Sequence, residues 1–229
     1  MKRLLKLILL GLMLLAGFSC KKAPEVPVAE LRIETGDLLF VGIPMDYWAD
    51  DMASAIADAT AAGDTVNWIH TAILEVDEAG EVWVIDATLA YGVDRHPLDT
   101  LRTQFKLDRP DATETLEVMR LKDNRDAARF VTQAKSLLGE EYDVYFKSSN
   151  GRHYCTELVY DIYVDADGQP IFASQPMNFL NAEGEMPPYW TKLFAMLGEE
   201  VPQGEPGTNP QMMYADPHLV HVMNIEPAK

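Results

Sequence analysis

The chain has 229 residues, of which 48% are hydrophobic and 24% are charged, and its formal net charge is −17. This length and hydrophobic content suit one globular domain with a single core. The acidic charge argues against a nucleic-acid-binding protein, which needs clustered Lys and Arg to contact phosphates. It also argues against attachment to anionic lipid through a basic face.

The N-terminal segment is typical of a bacterial lipoprotein signal peptide. A basic start precedes the apolar residues 7–15, and a short stretch ending in Ser leads to Cys20. This layout is too short and wrongly flanked for a spanning helix. We therefore predict a signal peptide over 1–19, a lipidated Cys20, a polar tether over 20–29 and one domain over 30–229. The alternative is an ordinary signal peptide in which Cys20 is incidental. The prediction places the protein outside the cytoplasm, anchored through Cys20 to a bacterial membrane on its periplasmic or outer surface.

Beyond the tether, strand-like and helix-like segments follow one another, and no internal repeat is present. Hydrophobic patterns and turn residues predict strands at 38–41, 68–76, 81–87, 93–96 and 115–121. Helices are predicted at 50–62, 97–105, 123–138, 154–164 and 188–197. The tail from Val201 contains five prolines and is predicted to be mostly irregular. Together these elements predict an α+β fold, with helices packed on an antiparallel sheet.

Cys155 is the residue whose setting points most directly to chemistry. If Cys20 carries lipid, Cys155 has no partner for a disulfide within the chain, and an unpaired thiol in an exported protein suggests reactivity. It stands just after the loop Ser148-Ser149-Asn150-Gly151, where helical spacing begins. A helix start favours the thiolate through the helix dipole and offers free backbone N–H groups to a developing oxyanion. A buried, inert Cys is the alternative.

A catalytic thiol needs a base, and the five histidines differ in their suitability. His70 is the polar ring of an otherwise apolar strand, which favours it as the base, with a structural His as the alternative. His153 precedes Cys155 by two residues, a spacing that seldom aligns an imidazole with a thiol. His96 precedes Pro97 and is predicted to lie on the surface in a turn, while His218 and His221 fall in the tail.

Asp86 is the candidate that would orient the base. It interrupts the apolar run Val82-Trp83-Val84-Ile85, and the predicted hairpin brings it alongside the strand of His70. A carboxylate inside such a strand is costly unless it is paired, and the imidazole would satisfy it. The alternative is an Asp at the end of the strand that faces water.

Four segments resemble the YiiX-like cysteine hydrolases, the circularly permuted branch of the NlpC-type papain-like superfamily. These segments are Gly36-Asp37-Leu38-Leu39-Phe40, His70-Thr71-Ala72-Ile73, Leu137-Leu138-Gly139 through Tyr142-Asp143, and Tyr154-Cys155-Thr156-Glu157-Leu158-Val159. In that branch the His strand precedes the Cys helix, as here, and the resemblance runs from about residue 31 to 210.

The resemblance implies a permuted papain-like fold with Cys155 as nucleophile, His70 as base and an acidic third residue. That third position is usually Glu and here is Asp86. Tyr154, Thr156 and Glu157, beside the nucleophile, are secondary candidates for substrate or oxyanion contacts.

No metal or cofactor is expected. The Asp165–Gly168 segment resembles part of a calcium loop, but the first and last ligand positions would fall on Tyr163 and Ser174, neither of which is a carboxylate. The chain also lacks the spacing of a zinc site. The predicted partners are a peptide or amide substrate, including peptidoglycan, and a membrane through the lipid anchor, without nucleic acid.

Three functions remain open from the sequence. The first is hydrolysis of an amide bond in cell-wall stem peptides through a Cys155 acyl-enzyme. The second is lipid chemistry, as an acyltransferase or thioesterase that uses the same Cys–His pair, and it predicts a long apolar groove beside Cys155. The third is a non-catalytic binding module, against which the intact Cys155, His70 and Asp86 set argues.

Overall fold

The structure is a computed structural model that describes residues 32–60 and 65–226 of the chain. The strands are β1 (Leu38–Pro44), β2 (Val66–Val76), β3 (Val82–Thr88), β4 (Gly92–Pro97), β5 (Thr115–Leu121), β6 (Gln175–Pro176), β7 (Pro206–Gly207) and β8 (Leu219–Ile225). The helices are α1 (Met52–Thr60), α2 (Leu98–Gln104), α3 (Ala127–Ser136), α4 (Cys155–Ile162), α5 (Pro188–Leu197) and α6 (Pro210–Tyr214). The predicted signal peptide, Cys20 and tether lie outside the described residues.

An antiparallel sheet of six strands, in the order β4-β3-β2-β1-β5-β8, organises the molecule. β1 pairs with β2 on one side and with β5 on the other. Its continuous apolar run is buried on both faces, which explains why the sequence there does not alternate between polar and apolar residues. β6 and β7 form a separate two-stranded sheet.

Hydrophobic cores lie on both faces of the sheet. On one face, buried residues of α3, α4 and α5 pack against Leu38 and Phe40 of β1. On the other face, Leu101 of α2 packs with Leu39 and Val41. Period-two alternation along β1 sends neighbouring side chains to opposite cores. Within the part of the chain that is described, no helix is long and apolar enough to cross a bilayer.

The Gly36-Asp37 pair ties the start of β1 to two distant elements. Gly36 has a φ of 84°, a left-handed conformation that favours glycine. The fully buried Asp37 carboxylate accepts a hydrogen bond from Arg120 Nε of β5 at 2.6 Å, and the Tyr163 hydroxyl donates to the Gly36 carbonyl at 3.0 Å. These contacts give the pair a structural role that joins β1, β5 and the end of α4.

The C-terminal tail differs from the sequence prediction, because it contains regular structure instead of being mostly irregular. Pro210 stands in the first turn of α6, where its missing N–H costs nothing. β8 pairs with β5 at the edge of the main sheet and buries Leu219 and Val222. The prolines mark the bounds of these elements and do not exclude them.

Candidate active site

Cys155 begins α4, and its 4% exposure places the thiol in the interior at a helix start. It is a free cysteine in the part of the chain that is described. Tyr154 takes the capping position with an extended backbone, and Glu157 Oε2 accepts a hydrogen bond from the Tyr154 backbone N–H at 3.4 Å. The first-turn N–H groups of α4 lack acceptors within the helix, so they can donate to an oxygen bound at Cys155.

A buried carboxylate shapes the loop that leads to this helix. Asp143 is fully buried and accepts hydrogen bonds from the backbone N–H groups of Tyr145 at 3.0 Å and Lys147 at 2.7 Å. It also accepts one from the Asn150 side-chain amide at 2.9 Å. These bonds fix a segment that contains two residues with positive φ, Phe146 and Ser149, and thereby set where α4 begins.

A β-bulge in β2 positions His70. Val41 of β1 pairs with His70, but the next residue, Gly42, pairs with Trp68, so Ile69 is an extra residue in β2. Bulges re-aim the side chains beside them and recur next to active sites. His70 is 4% exposed, and its ring packs against Phe105 with a centroid distance of 4.5 Å.

β2 and β3 separate at the level of the candidate site. Their paired residues run from Val76–Val82 to Ile73–Ile85, and His70 and Asp86 lie just beyond the last pair. Side chains on the two strands can therefore meet where the backbones no longer share hydrogen bonds. α4 packs against both β2 and β3, which brings Cys155 to the same place.

His70 lies between a carboxylate and the thiol. Its Nε2 is 2.7 Å from Asp86 Oδ2, and the Cys155 side chain lies close enough to the ring to raise its pKa. Because Nε2 faces Asp86, Nδ1 is the ring nitrogen left for the sulfur. Burial alone would lower the pKa of His70, but the negative charges of Cys155 and Asp86 raise it to about 10. The structure thus brings together the three residues that the sequence predicts as the catalytic set.

His96 is buried at 5% exposure, so its predicted place on the surface is wrong. It pairs with Val84 across β3 and β4, which puts its side chain on the same face as Asp86. His96 Nε2 lies 3.1 Å from Asp86 Oδ1. The pairing of His96 with the apolar residue Val84 would have indicated this orientation, but Pro97 suggested that His96 lies in a turn.

A cavity of about 430 Å³ opens beside Cys155. Among the described residues that line it, none is charged and none is a histidine. Its aromatic walls come from Tyr142, Phe146, Tyr154, Phe179 and Trp190. The tail contributes residues 208–212 and Ala215 to the wall, and sequence reasoning missed them because it treated the tail as irregular.

The secondary candidates beside the nucleophile have mainly structural contacts. The Tyr154 hydroxyl accepts a hydrogen bond from the Thr208 backbone N–H at 3.0 Å, and Thr156 Oγ1 lies 2.8 Å from Thr208 Oγ1. Both nevertheless line the cavity. Burial, together with repulsion from nearby carboxylates, raises the pKa of Glu157 to about 8. His153, the rejected alternative base, has its ring nitrogens 2.9 Å from Glu140 and 3.3 Å from Asp161 carboxylate oxygens.

Comparisons with known proteins show the family and the fold of the chain. The uncharacterized protein YiiX of Escherichia coli strain K12 is 32% identical over 89 residues, which are 39% of this chain and 43% of that protein. The chain therefore aligns with less than half of the length of this relative. The crystal structure of yiiX from Escherichia coli O157:H7, described as a metalloprotein, matches with a TM-score of 0.62 at 22% identity. That match covers 85% of this chain and 98% of the other, and it shows a shared α+β fold. The model of the family described as "permuted papain-like amidase enzyme, YaeF/YiiX, C92 family" matches residues 32–223, so the chain belongs to this family and has its permuted papain-like fold.

Proposed function

We propose that the protein is a cysteine amidase in which Cys155 is the nucleophile, His70 is the acid–base residue and Asp86 orients His70. The observation that carries the proposal is the position of the His70 ring, which contacts Cys155 while its Nε2 lies 2.7 Å from Asp86. A nucleophile, a base and a group that orients the base are the requirements of thiol catalysis. The intact and buried set argues against a binding module without activity.

The reaction follows from these positions. The Cys155 thiolate attacks the amide carbonyl carbon, and the carbonyl oxygen gains the negative charge near the first-turn N–H groups of α4. The C–N bond then breaks, and the His70 imidazolium gives its proton to the leaving amine. His70 next takes a proton from water, which attacks the thioester and releases a carboxylic acid and the free thiolate.

The lining of the cavity beside Cys155 limits which chemical groups the acyl half of the substrate can carry. A charged group would lose its hydration there without meeting an opposite charge on the lining residues. A cell-wall stem peptide, whose carboxylates are charged, would have to place an uncharged residue in this cavity. An apolar acyl chain would instead match its aromatic walls, and this observation favours acyl-lipid chemistry as a second candidate function.

The yiiX structure of Escherichia coli O157:H7 is described as that of a metalloprotein. In residues 32–60 and 65–226 of this chain, however, no group of three or more His, Cys, Asp and Glu side chains is arranged to hold a metal. These described residues therefore do not fit a bound metal ion.

Anchoring through Cys20 remains a proposal that rests on the sequence pattern of residues 1–20. Cells that express the full chain should incorporate an alkyne fatty acid into the protein, and Cys20→Ser should abolish both the label and sedimentation with membranes. A label that persists in the double variant Cys20→Ser/Cys155→Ala would contradict the proposal. A peptidoglycan substrate agrees with such a location but does not require it.

The function is tested by incubating the full chain with muropeptides and, separately, with N-acyl amides and acyl thioesters, followed by mass spectrometry. The matched control is Cys155→Ala. Cleaved muropeptides would support the cell-wall substrate, while acyl-Cys155 or free fatty acid would support acyl chemistry. The proposal fails if wild type and Cys155→Ala give the same products and iodoacetamide modifies Cys155 no faster than a free thiol at pH 7.

A further inference from the structure

The Asp86 carboxylate is shared between two buried imidazoles. Its Oδ2 is 2.7 Å from His70 Nε2, and its Oδ1 is 3.1 Å from His96 Nε2. Asp86 is 1% exposed, so these contacts are made away from solvent. The proposed mechanism uses the first of these contacts and leaves the second without a role.

The two ring nitrogens of His96 both face atoms that accept hydrogen bonds. Nε2 faces the Asp86 carboxylate, and Nδ1 lies 3.0 Å from the carbonyl oxygen of Pro97. A neutral imidazole has one N–H, so it would leave one nitrogen lone pair against an acceptor oxygen. An imidazolium donates from both nitrogens and satisfies both contacts.

The charges around His96 favour the protonated ring. Burial alone would lower the pKa of His96, but the Asp86 carboxylate, the Pro97 carbonyl and the charge of Asp94 raise it. Burial would likewise raise the pKa of Asp86, but hydrogen bonds from His70 and His96 lower it, which keeps the carboxylate ionised.

Two charged side chains close to His96 in the sequence, Arg95 and Asp99, pair with other residues. Arg95, which follows Asp94 on β4, turns to the other face and pairs with Glu75 at 2.6 Å. On α2, Asp99 lies 3.5 Å from Arg102.

We propose that His96 is a positioning residue that stays protonated in the resting protein, fixes the Asp86 carboxylate, and limits the basicity that Asp86 confers on His70. In the thiolate form that the proposed mechanism uses, protonated His96 and His70 balance the negative charges of Asp86 and Cys155. Without the proton on His96, the site would hold one uncompensated negative charge, which is costly in the interior. His96 thus balances the carboxylate that makes His70 a proton acceptor.

The catalytic meaning of this inference rests on the proposed role of His70, but the protonation state of His96 does not. Nitrogen NMR of the ¹⁵N-labelled full chain reports that state directly, with His96→Gln identifying its signals. At pH 7 we expect both His96 nitrogens to have the shifts of protonated nitrogen. A His96 with one unprotonated nitrogen at pH 7 would overturn the proposal, whether or not any amide is hydrolysed.

The effect on His70 is measured in the Cys155→Ala background, which removes the thiolate. Comparing this variant with Cys155→Ala/His96→Gln, we expect His70 to titrate at a pH higher by about one unit in the double variant, since a nearby buried cation is gone. Gln keeps a donor for Asp86 Oδ1, so the carboxylate is not left unpaired.

The exposed His221, changed to Gln, is the matched control and should leave the titration of His70 unchanged. An unchanged titration in the double variant would refute the influence of His96 on His70. If His96→Gln does not fold, the measurement on the wild-type chain still decides the protonation state, with His96 assigned by sequential backbone experiments.

Discussion

Replacing Asp86 by Asn tests the candidate site most sharply, because it removes a charge and keeps the volume of the side chain. Asp86 Oδ2 accepts from His70 Nε2 at 2.7 Å, inside the protein. A hydrogen bond to a charged group contributes about 1.5–3 kcal/mol. At 1.36 kcal/mol for each factor of ten, this loss lowers a rate by roughly ten- to hundredfold.

The amide that Asp86→Asn introduces also creates a conflict between its two neighbours. If the amide oxygen accepts from His70, the NH₂ group faces His96 Nε2, which must then give up its proton. If the amide turns the other way, the NH₂ group faces His70 and the base loses its orienting acceptor. In both arrangements the pKa of His70 falls below its raised value of about 10, so the imidazolium that pairs with the thiolate persists over a narrower pH range.

The assay is the second-order rate of Cys155 alkylation by iodoacetamide between pH 5 and 10, which needs no known substrate. We expect Asp86→Asn to slow alkylation at pH 7 by about ten- to hundredfold. Asp99→Asn, at a side chain that is 90% exposed, is the control and should react like the wild type. An Asp86→Asn protein that is folded and reacts within twofold of the wild type would refute the orienting role of Asp86.

Three further predictions concern stability. Gly92 has a φ of 66°, and a Cβ there would meet the Glu140 carbonyl. Gly92→Ala should therefore lower the free energy of unfolding by more than about 1 kcal/mol in a urea titration. Gly80→Ala, where a Cβ would meet open space, should lower it by less. Tyr154→Phe removes the acceptor of the buried Thr208 N–H, and we expect a loss of about 1–3 kcal/mol by the same measurement; a neutral result would show that water replaces the hydroxyl. The pKa of Glu157 is raised from 4.5 to about 8, so the folded state holds a proton that the unfolded chain releases, and stability falls as pH rises between these values. Glu157→Gln should therefore unfold at a higher temperature than the wild type at pH 8.5 but not at pH 4, and an equal difference at both pH values would contradict this cause.

Local patterns predicted the strands and helices around the site well, because their signals lie within short stretches of sequence. Thr115–Leu121 and Pro188–Leu197 have the bounds that the pattern gave, and the helix of Cys155 begins one residue after the predicted start. Asp86 was detectable because a carboxylate within an apolar strand requires a partner.

His96 and the tail were not detectable in the same way, because their burial depends on distant segments. β4 continues up to Pro97, because an edge strand can end in a residue without an N–H. His96 therefore lies within the strand, paired with Val84 of β3, and not in a turn. β8 finds its partner in β5, about a hundred residues earlier in the chain, and no local pattern records that pairing. The bulge at Ile69 likewise follows from the fit between β1 and β2, although it decides where the ring of His70 points.

The wall that the tail builds beside Cys155 has a consequence for the growing chain. Synthesis from the N-terminus completes β2, β3 and α4, with the thiol, the imidazole and the carboxylate, well before residues 208–215 are made. Until those residues dock, the cavity beside Cys155 lacks one of its walls. Docking of residues 208–215 is therefore a closing step, because it completes the cavity after the three residues of the candidate site are already present in the chain.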